Sequence, residues 1–283
     1  MSDPIRKRHP GRRYGVYVLL GAFALVMLLP FYWLLRSSLV GNREVLQPIE
    51  SWRDLLPSHL RFRNYPAVFE AMPFFRYLLN TVLVTGGVVA GTVISSSLCA
   101  YAFAFCEVRY SRWIFYGVLA TIMLPPAVVL IPTFILFREL NWIDTFKPLI
   151  LPAFFGSPFA IFLFRQFFLS LPKELIEAAR IDGATGLQIY WGVVLPLARP
   201  ALVTVIIFSF MGSWNEFMGP LIYLNSQSKW TLQLGLNSFI GQIAGQWNLL
   251  MAATVMVLLP VLLMFFFLQR YFIKGIAMTG MKG

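Results

Sequence analysis

Six long apolar stretches dominate this sequence. Each is long enough to cross a lipid bilayer as a helix, which needs about 20 mostly apolar residues. They cover residues 14–35, 77–105, 113–137, 149–168, 201–224 and 249–272. Kinks or breaks are expected where prolines fall inside them, at Pro125, Pro126, Pro132 and Pro260. The sequence therefore predicts an all-α membrane protein with six transmembrane helices.

Composition excludes the soluble classes. Charged residues make up 12% of the 283 residues and hydrophobic residues 58%, whereas a soluble domain carries about 25% charged residues. The same values exclude disorder, which requires low hydrophobicity and high charge. The net charge of +11 could indicate a nucleic-acid partner in a soluble protein. Here the basic residues lie mainly between apolar stretches, so we expect no nucleic acid.

The basic residues also predict the orientation. With the N-terminus inside, fourteen Lys and Arg residues fall in cytoplasmic segments and seven in outside loops, as the positive-inside rule requires. Both termini are therefore expected in the cytoplasm. The first stretch follows a basic flank like a signal peptide, but it is too long and no A-x-A-like site follows it. It is expected to remain as an anchor.

The predicted spans divide the chain into successive segments, and the extracytoplasmic one is expected to be an ordered cap. The segments are a basic cytoplasmic N-terminus (1–13), a first transmembrane helix (14–36), an extracytoplasmic loop (37–75), a core of five transmembrane helices (76–272) that includes a cytoplasmic loop (165–200), and a cytoplasmic tail (273–283).

The second apolar stretch carries a row of small residues. Gly87, Gly91 and Ser95 are spaced to lie on one face of a helix, and such rows let membrane helices approach each other closely. We expect another segment to pack on this face, without a further role for the row.

The cytoplasmic loop contains the signals of a short helix that ends at a corner. Glu174 lies in the expected first turn, where a carboxylate suits the positive end of the helix dipole. Glu177 is spaced to pair with Lys173 and Arg180 on one helix face. Gly183 then has the place of a residue that stops a helix.

A second short helix is predicted directly after this corner. Thr185 and Gln188 have the spacing of a capping box, and this helix is expected to end before Pro196. Both helices are too short to be stable alone, so they need a surface to pack on. The residues alone leave two interpretations open: an amphipathic connector on the membrane surface, or a docking element for another protein.

The same loop resembles the EAA loop of the permease subunits of ABC importers. The family pattern is Glu-Ala-Ala, three residues, Gly, nine residues and Ile-x-Leu-Pro, and here Val193 replaces the isoleucine. In that family the loop forms a coupling helix seated in a cleft of the ATPase subunit, so the resemblance implies this role for residues 173–190. The residues concerned are Glu174, Glu177, Ala178, Ala179, Arg180, Asp182, Gly183, Ala184, Leu195 and Pro196.

Further motifs resemble the carbohydrate-uptake branch of this family, in particular the six-span member of a maltose-type permease pair. They are Asn64-Tyr65, Arg76-Tyr77 with Asn80, Leu171-Pro172, Asp182-Gly183-Ala184, Trp214-Asn215-Glu216-Phe217 with Pro220-Leu221, and Gln269-Arg270-Tyr271-Phe272. The resemblance implies the type I ABC importer permease fold and an oligosaccharide or related sugar as substrate. It also implies a bacterial or archaeal plasma (inner) membrane location.

The resemblance implies a set of partners as well. These are a second permease subunit in a heterodimer, an ATPase dimer that holds ATP and Mg, and an extracytoplasmic solute-binding protein. In the maltose-type permease the C-terminal tail enters the ATPase dimer interface, which implies such a contact for Lys282 and Gly283. The residues just before them depart from the family pattern.

Glu216 is the notable ionisable residue inside a predicted span. Charges within a membrane are costly and are a default indication of function. One interpretation places Trp214, Asn215 and Glu216 along the translocation path, facing sugar hydroxyls. The other holds that Glu216 lies near the outer end of its span, where it satisfies a broken helix backbone or contacts the second permease. Both remain open.

No catalytic or metal site is expected in this chain. No lysine is followed by Ser or Thr, so a P-loop is absent and ATP hydrolysis must come from a partner. We therefore predict a non-enzymatic permease subunit without its own cofactor. The alternatives are an importer of the same class for glycerol-phosphate-type or other polar solutes, an ion-coupled secondary carrier, which usually shows internal repeats, and a non-transporting scaffold.

Overall fold

The computed structural model describes residues 10–106, 109–242 and 245–279, and its regular structure over these ranges is helical throughout. The helices are α1 (Pro10–Ser38), α2 (Asn42–Leu46), α3 (Asn64–Ala71), α4 (Phe74–Phe105), α5 (Ser111–Ala120), α6 (Pro126–Glu139), α7 (Lys147–Ile150), α8 (Pro158–Leu169), α9 (Lys173–Ile181), α10 (Gly186–Ile189), α11 (Leu195–Leu197), α12 (Arg199–Trp214), α13 (Met218–Tyr223), α14 (Leu232–Gln242) and α15 (Trp247–Thr279). Short 3-10 turns lie at Trp52–Leu55, Thr121–Met123, Leu151–Phe155 and Gln227–Lys229, and a π turn lies at Tyr190–Val194.

The chain divides into two compact units. The first combines Met1–Ala71 with Phe239–Val257, and the second combines Met72–Ser238 with Leu258–Gly283.

The first unit is built on α1 and the ordered segment that follows it. The apolar part of α1, Gly15–Ser38, has 24 residues and is about 36 Å long. Its side chains are exposed on all sides until the last turn, as expected of a helix surrounded by lipid. Beyond that turn, the buried amide of Asn64 donates to the carbonyl oxygens of Ser38 and Val40, each at 2.8 Å. These bonds attach the segment after α1 to the end of that helix.

The second unit is organised around α4, which packs against α8, α12 and the turn at Leu151–Phe155. A β-carbon at Gly87 would lie 2.8 Å from Ile150, and one at Gly91 would lie 2.7 Å from Phe154. Both distances are shorter than a β-carbon tolerates. The expected packing on the small residues is therefore confirmed.

Among the described residues, four helical segments are long and apolar enough to cross a membrane alone, and two bent pairs raise the number to six if each pair counts as one span. One bent pair joins Ser111–Met123 to Pro126–Glu139 at 99°. The break lies at Pro125 and Pro126, which have no backbone N–H for a helical hydrogen bond. The expected break is confirmed here, whereas Pro132 and Pro260 lie within continuous helices.

The apolar stretch 201–224 is predicted as one span, with a break of the helix near Glu216 left open, and it is not one continuous helix. The chain bends by 80° between Gly186–Leu197 and Arg199–Trp214. The helix α12 then ends at Trp214, and residues 215–217 are not helical. With 16 residues, α12 is about 24 Å long, which is shorter than the ~30 Å hydrocarbon core. Only α12 together with the break and α13 covers the predicted stretch.

Candidate functional site

The predicted first helix of the cytoplasmic loop is α9, and it begins directly after Pro172. Ile176, which is 4% exposed, fixes α9 in the core of the second unit. The outward face carries most of the residues singled out from the sequence. The exposed members are Glu174, Glu177, Ala178, Arg180 and Asp182, and Ala179 is partly buried.

The corner lies where the glycine predicts it. Gly183 has φ +81°, a left-handed conformation that side chains rarely adopt. Its N–H donates to the carbonyl of Arg180 at 3.0 Å, and the N–H of Ala184 donates to that of Ala179 at 3.0 Å. These bonds satisfy the end of α9. A β-carbon at Gly183 would meet no atom within 4 Å, so the backbone conformation requires glycine here and the available space does not.

The second helix begins with the predicted capping box. The side chain of Gln188 accepts from the N–H of Thr185 at 2.7 Å, and the Thr185 hydroxyl accepts from the N–H of Gln188 at 3.4 Å. The prediction that this helix ends before Pro196 is wrong, because the π turn continues it into α11. Pro196 lies in the first turn of α11, where a backbone donor is not required. The motif residues Leu195 and Pro196 are therefore helical.

The predicted ion pairs of α9 are absent among the described residues. Glu177 forms no ion pair with Lys173 or Arg180, and Arg180 instead donates to the carbonyl oxygen of Phe105 at 3.3 Å. The carboxylate of Glu177 is thus exposed and forms no ion pair with the described residues.

Two tyrosines attach this loop to α4. Tyr101 donates from its hydroxyl to the carbonyl of Gly186 at 3.0 Å, and the hydroxyls of Tyr190 and Ser97 lie 2.7 Å apart. The rings of Tyr101 and Tyr190 also meet edge to face at 5.5 Å. Sequence reasoning missed these contacts. The only available signal was the four-residue spacing of Ser97 and Tyr101, which places both on one face of α4.

Large apolar side chains project from the same loop. Ile181 is 86% exposed, Leu187 64% and Trp191 58%. Exposed apolar side chains with polar neighbours are typical of a surface that contacts another protein or a membrane. Both interpretations of this loop, a connector on the membrane surface and a docking element, predict such side chains.

A second candidate feature is a cavity of about 340 Å³ within the second unit. Hydroxyl groups and one carboxylate supply its polar lining. Those side chains are Thr81, Thr92, Ser157, Ser209, Ser213, Thr231 and Glu216. No Lys, Arg or His is among the described residues that line it. This lining disfavours an anionic molecule.

The hydroxyl groups of this cavity differ in how far they are satisfied. Thr81 donates to the carbonyl of Tyr77 at 2.9 Å and accepts from the N–H of Leu232 at 2.8 Å. Thr231 is 4% exposed, and its hydroxyl has no partner. Leaving a buried hydroxyl unpaired costs about 1–3 kcal/mol.

Glu216 has a hydrogen bond at the helix break and a place in the cavity lining. Its Oε1 accepts from the N–H of Gly219 at 2.8 Å, which satisfies the backbone at the break, and the side chain also lines the cavity. Asn215 lies in the same break and donates to the carbonyl of Met211 at 2.8 Å. Trp214 is buried and stacks on Phe210 at 5.2 Å. Of the three predicted path residues, only Glu216 therefore lines this cavity.

The predicted tail contacts Lys282 and Gly283 lie outside the described residues.

Comparison with known proteins assigns the family. Residues 87–278 match the model of the binding-protein-dependent transport system inner membrane component family. The chain is 35% identical over 261 residues to AraQ, an arabinooligosaccharides transport system permease of Bacillus subtilis (strain 168), with 92% of each chain covered. It is 31% identical over 268 residues to UgpE, an sn-glycerol-3-phosphate transport system permease of Yersinia pestis, covering 92% of this chain and 94% of UgpE.

Solved structures agree with this assignment. A chain of a bacterial ABC transporter involved in the import of the acidic polysaccharide alginate superposes with a TM-score of 0.80 and 30% identity, covering 95% of this chain and 100% of that chain. Permease subunits of this kind are not themselves enzymes. On these grounds the chain is a multi-helix membrane permease with the ABC permease fold, and it belongs to the binding-protein-dependent transport system inner membrane component family.

Proposed function

We propose that this chain is a permease subunit of an ATP-driven, binding-protein-dependent importer in a bacterial or archaeal plasma (inner) membrane. It crosses the membrane six times with both termini in the cytoplasm, and each bent helix pair belongs to one crossing. Family membership and the fourteen-to-seven distribution of Lys and Arg support this topology. A second permease completes the path, and a solute-binding protein docks outside.

The loop from α9 to α10 is the coupling element in this proposal. The observation that carries it is the exposed Glu177 carboxylate on a helix whose exit angle Gly183 fixes. A basic group on the ATPase subunit pairs with Glu177, and the exposed side chain of Ile181 is covered by the same subunit. The Lys282–Gly283 tail contacts the ATPase dimer as well, and ATP and Mg are held there.

The solute is an oligosaccharide or a related polyol in this proposal, and the cavity beside Glu216 is part of its path. The hydroxyl lining, the unpaired Thr231 hydroxyl and the absence of a basic lining residue favour an uncharged solute. A glycerol-phosphate-type solute is the second candidate, because UgpE is 31% identical to this chain. The cavity disfavours that candidate, since a phosphate would face the Glu216 carboxylate.

The coupling role is tested by charge reversal. We expect Glu177→Lys to reduce ATP-dependent uptake at least about tenfold, because a charge-assisted contact worth ~1.4 kcal/mol or more is lost. The amount of protein in the membrane should stay normal. Glu70→Lys reverses another exposed carboxylate and should transport normally. Normal uptake by Glu177→Lys would contradict the coupling role, and uptake that follows an ion gradient instead of ATP would favour a secondary carrier.

The cavity is tested by Glu216→Gln, which retains an oxygen for the Gly219 N–H. If the carboxylate binds solute hydroxyls, we expect a weaker apparent affinity for a neutral oligosaccharide and unchanged complex stability. If Glu216 only satisfies the backbone, the variant should transport with normal affinity. Thermal unfolding of the purified complex supplies the stability measurement.

A further inference from the structure

A basic cavity of about 950 Å³ lies in the first unit, at the C-terminal end of α1. It is lined by residues between Trp33 and Arg61, and four of them are arginines, namely Arg36, Arg43, Arg53 and Arg61. This cavity contains none of the residues assigned to the solute path or to the coupling loop.

Arg36 is the buried member of this group, with 5% of its surface exposed. Its Nε donates to the carbonyl of Leu55 at 3.1 Å, and its Nη2 donates to the carbonyl of Asp54 at 2.6 Å and to the carboxylate of Glu44 at 3.1 Å. Its Nη1 is buried without an acceptor. An unpaired donor on a buried cation is costly, so an anionic oxygen that reached Nη1 from the cavity would be stabilised there.

Two of the acidic residues in the lining already have donors of their own. Glu44 accepts from the N–H and the hydroxyl of Ser58 at 3.1 and 2.6 Å. Burial acts to raise the pKa of Glu44, but the Ser58 hydrogen bonds and the Arg36 charge outweigh it and lower the pKa. Asp54 accepts from the N–H groups of Glu50 and Ser51 at 3.0 and 2.7 Å. The exposed Glu50 side chain is the acidic group that remains.

The other three arginines are exposed and available. No ion pair engages Arg43, Arg53 or Arg61 within the described ranges. The guanidinium of Arg61 lies against Gly41, where a β-carbon would come within 3.1 Å of its Cζ. The guanidinium of Arg53 lies 5.6 Å from the ring of Trp52. The lining therefore has an excess of unpaired positive charge.

The position along α1 indicates the source of the anion. Tyr32 and Trp33 lie at the end of the lipid-exposed apolar helix, and Tyr and Trp are enriched at the level of the lipid headgroups. Arg36 follows one turn later. A guanidinium matches the geometry of a phosphate, to which it can donate two parallel hydrogen bonds.

We propose that this cavity binds the phosphate of an anionic phospholipid in the outer leaflet, with Arg36 at its base and Arg53 and Arg61 at its mouth. This site goes beyond the proposed transport function. It depends on that function only for the outward orientation of the cavity.

The test measures the lipid that the purified complex retains. The complex is reconstituted with an equal mixture of phosphatidylglycerol and phosphatidylcholine and passed through mild detergent, and the bound lipid is identified by native mass spectrometry. We expect retained phosphatidylglycerol in the wild-type complex and an at least fivefold loss in Arg53→Gln/Arg61→Gln. Arg63→Gln, an exposed arginine outside the lining, is the matched control and should retain the lipid. An unchanged elution profile confirms that the variants are assembled.

Three results would overturn the proposal. One is equal phosphatidylglycerol retention in all three proteins. Another is stabilisation of the wild type by inorganic phosphate alone to the same extent as by the lipid, which would assign the site to a free anion. The third is unchanged lipid retention with weakened docking of the solute-binding protein, which would assign the arginines to a protein carboxylate. ATP-dependent uptake is measured separately, so failure of the lipid site and failure of the transport proposal are distinguishable.

Discussion

Gly91 lies in α4 where a β-carbon would meet the ring of Phe154 at 2.7 Å, whereas a β-carbon at Gly86 would meet no atom within 4 Å. Both glycines occupy the interior of the same helix, where alanine is favoured by up to ~1 kcal/mol. Alanine substitutions at these two glycines therefore separate the effect of packing from that of helix propensity on stability.

We expect Gly91→Ala to destabilise the purified protein by about 1–3 kcal/mol, the range for overpacked cores, and Gly86→Ala to be neutral or stabilising. Thermal unfolding in detergent measures both variants. Equal behaviour of the two would show that the close approach of the segment before α8 does not require glycine.

Asp144 connects two loops of the second unit. It accepts from the N–H groups of Asn225 and Ser226 at 3.0 and 2.9 Å, and from Lys229 at 2.8 Å. The Lys229 and Ser226 hydrogen bonds hold the pKa of Asp144 well below its usual range. A lowered pKa adds stability that is complete above the ordinary aspartate pKa of about 3.9 and is lost as the pH falls through the lowered value.

For Asp144→Asn we expect a loss of about 1 kcal/mol at pH 7, a modest value because both side chains are partly exposed. The difference from wild type should shrink as the pH falls below about 4. Unfolding temperatures at pH 7 and pH 3 provide the comparison. A difference of the same size at both pH values would mean that the carboxylate charge contributes nothing.

At the scale of elements, the loop from α9 to α11 is attached to α4 through the hydroxyls of Tyr101 and Tyr190. Motion of this loop on an ATPase partner would therefore be passed directly to α4. Removing both hydroxyls keeps the aromatic packing and loosens the polar attachment.

We expect the double variant Tyr101→Phe/Tyr190→Phe to keep basal ATP hydrolysis in the reconstituted complex. Solute uptake should fall by up to about thirtyfold, since two net hydrogen bonds of ~1 kcal/mol each are removed. Tyr116→Phe, which alters an exposed ring of the same unit, is the control. Parallel loss of hydrolysis and uptake would indicate a defect of assembly and contradict this account of coupling.

The elements that the sequence predicts best depend on local signals. The left-handed corner at Gly183 and the capping box of Thr185 with Gln188 involve neighbours along the chain, so their residues suffice to locate them. The continuation of the helix through Pro196 was not predicted, and hydropathy alone did not locate the end of α12 at Trp214, although a break near Glu216 was left open. Both depend on how the backbone is satisfied in three dimensions, which hydropathy averages conceal.

The candidate site likewise combines one residue that the sequence identifies with others that only the fold brings together. Glu216 stands out in the sequence because a carboxylate is costly in a membrane, and it lines the hydroxyl-rich cavity. Thr81 and Thr231, which line the same cavity, come from segments about 150 residues apart. Scattered Ser and Thr residues give no sequence signal, and only the fold brings them together.

At the scale of the whole molecule, several features concern surfaces turned toward other chains. The exposed apolar side chains of the α9–α11 loop are typical of a contact surface, and the exposed Glu177 carboxylate is free to pair with a basic group of a partner. The absence of a P-loop in the sequence assigns ATP hydrolysis to another subunit in this account. The account therefore depends on an assembly in which this chain is one of several.

The most direct test is to isolate that assembly. The chain is tagged at its C-terminus through a long linker and extracted gently from native membranes, and the co-purifying proteins are identified by mass spectrometry. The account predicts a P-loop ATPase, a second permease and a solute-binding protein with the wild type, and loss of the ATPase but not of the second permease with Glu177→Lys. Recovery of the wild-type chain without any ATPase, under conditions that keep a known importer intact, would contradict it.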